Sequence, residues 1–438
     1  MNPIKGLVLA LPVSLAGVLL PGAGAAELPA RQAAPIEYVR ICDAYGAGFF
    51  SVPGTDTCLR AGGLALSERP GFDPSFSPLN PPAGTRAPGD TAIVSKAFIH
   101  FAGLTAGRAQ SMADFSAGAY NYHNLRGSGA AVSLLAYTAT LGNGFSALSF
   151  EDQPDRGAAA GSTIAGTPAA PIPLGGVSAA SFEGQPAGSR VPEIVGNLRL
   201  GQPWGAVQLS AAAHQLRDSL FALTALTAPP TTLAFPALTS NSFGFAVQGV
   251  QLNADYLSPG DKLWLQAAYE KGAFGYIAGS NDAFSYGSVN QTRSGGTPLD
   301  YGGGWNPQIN SDCVFTASGI CEQQWGWDIT GAYKHYWLPI LSSAIYGSYL
   351  EVHYPADALA GSGGGAGVSN LKEARAGGNL VWPPLKGFDL GAESMYVHLN
   401  QTRPAGLASG KTFSANGLPA FQPNDNQHEG RLRIQRAF

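Results

Sequence analysis

The sequence predicts an all-β protein, a transmembrane antiparallel β-barrel with short periplasmic turns and long extracellular loops. Three observations predict it. An export signal opens the chain, alternating segments of about ten residues recur at the length a tilted strand needs to cross a bilayer, and the connections between them are alternately short and long.

The export signal comes first. Lys5 precedes an apolar run from Gly6 to Leu20, followed by the small residues Gly22-Ala23-Gly24-Ala25-Ala26. A charged start, an apolar stretch and a small-residue cleavage site make a secretory signal. Cleavage is expected after Ala25, so 1–25 is read as signal peptide, 26–57 as an N-terminal periplasmic segment and 58–438 as the barrel. No later segment approaches 18 consecutive apolar residues, and no helical span is expected. Charged residues are 12% of the chain against 45% hydrophobic, with 58 glycines. Such a chain could hardly cover a soluble surface, whereas a barrel turns its outside to lipid and lines its lumen with uncharged polar groups. The formal net charge of −4 gives no basic stripe for nucleic acid.

The strands follow. Val207, Leu209, Ala211 and Ala213 oppose Gln208, Ser210 and His214. Leu263, Leu265, Ala267 and Tyr269 oppose Lys262, Gln266 and Glu270, and Trp327, Ile329, Gly331 and Tyr333 oppose Asp328, Thr330 and Lys334. Successive strand side chains point to opposite faces, so each segment carries an apolar and a polar wall. Starting at Cys58, fourteen strands can be placed. Short turns are expected near 104–106, 141–144, 201–205, 257–261, 337–341 and 382–387. Long Gly/Pro/Ser/Asn-rich loops are expected near 67–91, 114–130, 153–189, 217–242, 272–324, 355–369 and 401–428, with some strand character at Phe274–Ile277. Trp204, Tyr256, Tyr336, Trp337 and Trp382 cluster at the short turns, where an amphipathic ring suits the membrane interface. The chain ends on an alternating strand closing at Phe438, the kind of terminal aromatic that outer-membrane assembly machinery recognises.

Cys42, Cys58, Cys313 and Cys321 are an even set in an exported chain and read as disulfides, with the spacing favouring Cys42–Cys58 and Cys313–Cys321. Tight pairs beside histidines, which a metal would want, are missing, and the seven histidines show no metal spacing. No Gly-x-Ser-x-Gly elbow or phosphate loop is present, so no cofactor and no enzymatic role are expected.

The block Glu37-Tyr38-Val39-Arg40-Ile41-Cys42-Asp43-Ala44-Tyr45-Gly46-Ala47-Gly48-Phe49-Phe50, with Pro53 to Arg60 after it, resembles the opening of the alphaproteobacterial porins. Phe101-Ala102-Gly103, Gly107 to Ser111, His335-Tyr336-Trp337-Leu338-Pro339 and the ending Gly430 to Phe438 are similar to later motifs of that family. The resemblance implies a 16-stranded, homotrimeric outer-membrane porin, a water-filled channel through which small hydrophilic solutes diffuse passively. The alternative is an adhesive or receptor barrel whose loops bind a partner and whose lumen is plugged.

In a diffusion pore, selectivity comes from the narrowest cross-section and the charges around it. The third long loop, 153–189, is expected to fold inward and form the constriction, offering Asp155 and Glu183, with Asp152 and Glu151 at its start. Strand parity places Arg60, Lys96 and Arg108 on the lumen side of the first three strands and Arg431 and Arg433 on that of the last. Cations facing loop acids would set a transverse field. Trp264 also takes lumen parity.

Overall fold

The computed structural model describes residues 40–41, 50–51, 58–68, 91–115, 125–152, 161–162, 181–227, 230–254, 260–278, 311–316, 318–360, 368–402 and 424–436. Two short strands, β1 (Arg40–Ile41) and β2 (Phe50–Ser51), pair with each other, and β2 pairs with the first long strand, β3 (Cys58–Glu68). The wall continues through β4 (Thr91–Phe101), β5 (Leu104–Gln110), β6 (Ala131–Leu141) and β7 (Gly144–Glu151). Between β7 and β10 (Glu193–Gln202) lie the short β8 (Gly161–Ser162) and β9 (Ser181–Pro186). Then come β11 (Gly205–Thr227), β12 (Pro230–Ala254), β13 (Lys262–Lys271) and a single helical turn, α1 (Gly275–Ala278). A small hairpin, β14 (Cys313–Phe315) and β15 (Cys321–Gln323), precedes β16 (Trp325–Leu338) and β17 (Leu341–His353). The chain ends with α2 (Ala356–Ala360), β18 (Leu371–Leu385), β19 (Phe388–Gln401) and β20 (Asn424–Arg436).

Fourteen long strands from β3 to β20 pair antiparallel, each with the next, with β10 joining directly to β7 and β16 to β13. Among the described residues no ladder joins β20 back to β3. This is the nearest-neighbour order of an up-and-down transmembrane barrel; among the described residues it has fourteen wall strands, the number placed from alternation and two fewer than the sixteen that the resemblance implies.

Alternation dictates which side is which. Leu209, Leu265, Ile329 and Ile345 are exposed, whereas Gln208, Gln266, Thr330 and Ser348 are buried. An apolar face turned outward and a polar face turned inward is stable only with lipid outside. Trp204, Trp337 and Trp382 are exposed at the short turns, as the girdle requires; Tyr256 lies outside the described residues.

Three expectations are corrected. The first short turn is Ala102–Gly103, not 104–106, and both residues have positive φ (47° and 85°). A two-residue turn of that hand matches the strand twist and needs a glycine; a Cβ at Gly103 would press on the Thr138 carbonyl. Segment 217–242 is not a loop, because β11 and β12 run 23 and 25 residues and stay paired as far as Thr227 and Pro230. Phe274–Ile277 is no strand. Gly275–Ala278 forms one helical turn, fully buried inside the wall.

Candidate functional site: a lumen crossed by its own chain

Inside the wall lie two described pieces of the connection from β5 to β6. The first, 111–115, bonds to β7, β10 and β11, and the second, 125–130, bonds to β16, β17 and β18. Near the root of the first, buried Glu151 of β7 accepts hydrogen bonds from Ser111 Oγ (2.6 Å) and the Met112 amide (2.9 Å). Asn197 of β10 donates to the Met112 carbonyl (2.7 Å), and Ser210 of β11 to that of Ala113 (3.0 Å). Asp114 binds the returning strand, accepting from the Ala130 amide (2.7 Å) and from the Ser128 hydroxyl.

At the far side, the Arg126 guanidinium meets the Glu373 carboxylate of β18 with two bonds of 2.7 Å, both side chains fully buried. Arg375 Nε holds the same carboxylate at 2.5 Å. Ser348 of β17 and Thr330 of β16 take up the Arg126 backbone (3.1 and 2.7 Å). Gly127 follows at φ 104°, with the Gln266 side chain where a Cβ would be. These contacts satisfy a backbone that would otherwise be buried without partners. Joined through Asp114 to Ser128 and Ala130, the two described pieces form a strut inside the wall.

A second inward piece lies beside it. Gly127 donates to the Ile277 carbonyl of α1 (2.6 Å), and the Tyr276 hydroxyl donates to Glu193 of β10, which also binds His214 Nδ1 at 2.7 Å. The Phe274 amide is held by Asp312 (2.8 Å), beside the Cys313–Cys321 disulfide that closes the β14–β15 hairpin. Cys42 lies outside the described residues.

The predicted site residues divide. Lys96 faces inward and donates to Gln110 (2.7 Å). Arg431 stands opposite the buried Glu393, and Arg433 shares its face; Leu432 and Ile434 between them are 83% and 73% exposed. Arg60 sits in register with His100, whose ring bonds the buried Thr105. Arg108 does not belong to this set. It pairs with Ala97 and Ser133, in the parity of exposed Ile99, Leu104, Leu135 and Tyr137. Starting β5 at Leu104 resets the alternation, and one residue of slip moves a side chain to the other face. Asp152 is exposed, with its amide on the Ser133 carbonyl (2.9 Å). Glu183 lies on β9 in register with Phe221, beyond the loop-side end of β10, and Asp155 and Phe438 are outside the described residues. Of the expected inward loop 153–189, β8 pairs in parallel with β14 and β9 extends the sheet along β11. Trp264 is buried in the lumen.

Sequence reasoning missed Asp114, Arg126, Asn197 and Glu373. Glu373 and Arg375 do share lumen parity in a membrane-length strand, a signal that charges there face inward. Nothing local marks Arg126.

At the inner rim, Asp261 precedes β13 and is buried. The Tyr333 hydroxyl, His335 Nδ1 (2.8 Å) and the Tyr336 amide (3.2 Å) all converge on it. Hydrogen bonding from Tyr333, then His335, holds its carboxyl below the usual carboxylate range.

An apolar outside, aromatic inner turns and a polar interior crossed by the chain itself define an outer-membrane β-barrel of the channel type. The family model described as "Porin subfamily" matches residues 28–67 and 77–420, and the chain belongs to that family, one of channels rather than catalysts. A putative outer membrane protein, y4fJ of Sinorhizobium fredii, is 36% identical over 116 residues, 25% of this chain and 32% of that protein. Porin Omp2a of Brucella abortus is 45% identical over 75 residues, 17% of this chain and 23% of that one. Porin Omp2b of Brucella suis matches equally, over 20% of its length. The matched stretches thus span no more than a third of these relatives. Among solved structures, the outer membrane channel DcaP of Acinetobacter baumannii aligns with a TM-score of 0.48 and 14% identity, covering 88% of this chain and 83% of that one.

Proposed function

We propose that the protein forms a water-filled outer-membrane channel through which small hydrophilic solutes diffuse passively, working as a homotrimer. The observation that carries the reading is the lumen itself. Strand after strand turns polar or charged side chains inward, and a strut pinned to the wall narrows the passage, with an apolar cluster that includes Phe115, Phe274, Ile277, Leu350 and Leu371 packed beside it. Lys96, Arg431 and Arg433, with Arg60 by register, form a basic side of the passage next to the constriction, towards the short turns. Asp114 on the strut supplies the acid beside them, while Asp152 and Glu183 stand at the loop-side end of the wall with Asp155 in the stretch between.

Support for association comes from the outer face of β19 and β20. There His398 bonds Asn426 (2.7 Å) and Asn400 bonds Asn424 (2.6 Å), polar pairs that favour protein over lipid tails as neighbours. Purified protein in a planar bilayer should open large, stepwise channels, and light scattering of the detergent complex should give three copies. Folded protein that never conducts would point instead to a plugged receptor barrel.

A further inference from the structure

The partly exposed cations of the lumen wall gather at one end of the barrel axis, whereas the buried Arg126 and Arg375 are paired with Glu373 at the height of the strut. Lys96, Arg199, Lys262, Lys334, Arg431 and Arg433 all take lumen parity, on β4, β10, β13, β16 and β20, and all stay partly exposed. Each lies at most six residues from the level of a short turn, in the periplasmic part of the wall. The buried lumen acids Glu151, Glu193, Glu270, Asp328 and Glu373 lie eight or more residues from their turns, at the height of the strut and above. Only Asp389 and Glu393, both on β19, share the lower level among described acids of lumen parity.

Lys262 and Lys334 are direct cross-strand partners on the same face. Like charges opposite one another destabilise a sheet. A chain with a net charge of −4 has placed two lysines there, with Lys334 over the Tyr336 ring (4.9 Å to its centre). Arg199 stands against the rings of Phe115, at the strut, and Phe145 (4.7 and 5.8 Å to their centres), which joins the collar to the constriction above it.

We infer that this basic collar on the periplasmic side of the strut makes the channel prefer small anions, the carboxylate- or phosphate-bearing solutes, over cations of equal size. The inference rests on the pore reading. Low-dielectric walls focus the field of the collar into the water column, raising the local concentration of anions and excluding cations.

The test is the zero-current potential of the purified protein in a planar bilayer under a KCl gradient. The wild type should be chloride-selective. Lys262→Gln with Lys334→Gln should bring the anion/cation permeability ratio towards unity. Lys262→Glu with Lys334→Glu should lower it by about five-fold at ~0.1 M salt, given four units of charge change some 10 Å from the permeating ion. Removing a like-charge pair relieves the sheet, so the glutamine variant will fold, which its electrophoretic mobility before and after heating checks. Channels that are cation-selective, or whose ratio the substitutions leave unmoved, overturn the collar and spare the pore. Folded protein with no channels overturns the pore reading and the collar with it.

Discussion

Arg126→Ala tests the strut at the point where it is held. The guanidinium makes two charge-assisted bonds of 2.7 Å to Glu373, with neither side chain exposed. Removing one partner of a buried pair costs about 3–5 kcal/mol. The lower end applies, because Arg375 stays on the same carboxylate and Glu373 is not stranded. A loss of about 3 kcal/mol lowers the ratio of docked to undocked strut by roughly 150-fold. The wall ladders do not involve Arg126, so the barrel should keep its strand content by circular dichroism. Single-channel recordings should show larger and noisier open currents than the wild type, because a strut loose at one end sweeps the lumen. Currents of wild-type size and quietness, from protein with native electrophoretic mobility, would show that this pair does not hold the constriction.

Three further outcomes are expected. Glu151→Gln replaces the acceptor of Ser111 Oγ and the Met112 amide, and should cost about 1–3 kcal/mol at the strut's root, seen as faster proteolysis of the 111–130 segment. Cys313→Ser with Cys321→Ser opens a loop of sequence separation 8 and should remove about 2.5 kcal/mol from the hairpin, read as earlier local hydrogen exchange. The Asp261 carboxyl is depressed in the fold, so the stability it gives the inner turn is present at neutral pH and lost as pH falls through its folded value. Acid melting curves should show that loss, and Tyr333→Phe, which deletes the largest cause, should flatten them; an unchanged acid limb would refute this account.

How much was legible in the sequence depended on the range of the physics. Side-chain alternation is a local consequence of extended backbone, so Gln208 against Leu209 and Thr330 against Ile329 already assigned lumen and lipid faces. Arg431 and Arg433 share the face of Glu393 for the same reason. Arg108 was misplaced because parity is only as good as its origin, and the two-residue Ala102–Gly103 turn moved that origin. Segment 217–242 carries the prolines and small residues of a loop, yet its two halves pair with each other and extend the hairpin beyond the rest of the wall.

By itself, then, the sequence determined an outward-apolar, inward-polar wall of membrane-length strands and the resemblance that named its family. The tertiary structure decided which part of the chain enters the lumen. That choice rests on Arg126 finding Glu373 across 247 positions of sequence and on Met112 and Ala113 finding Asn197 and Ser210. Burying a guanidinium is tolerable only where a carboxylate waits, and no local pattern announces where the far wall will be once the sheet has curved. The same holds for the basic collar: six cations scattered over five strands become one feature only when register brings their short turns to one level.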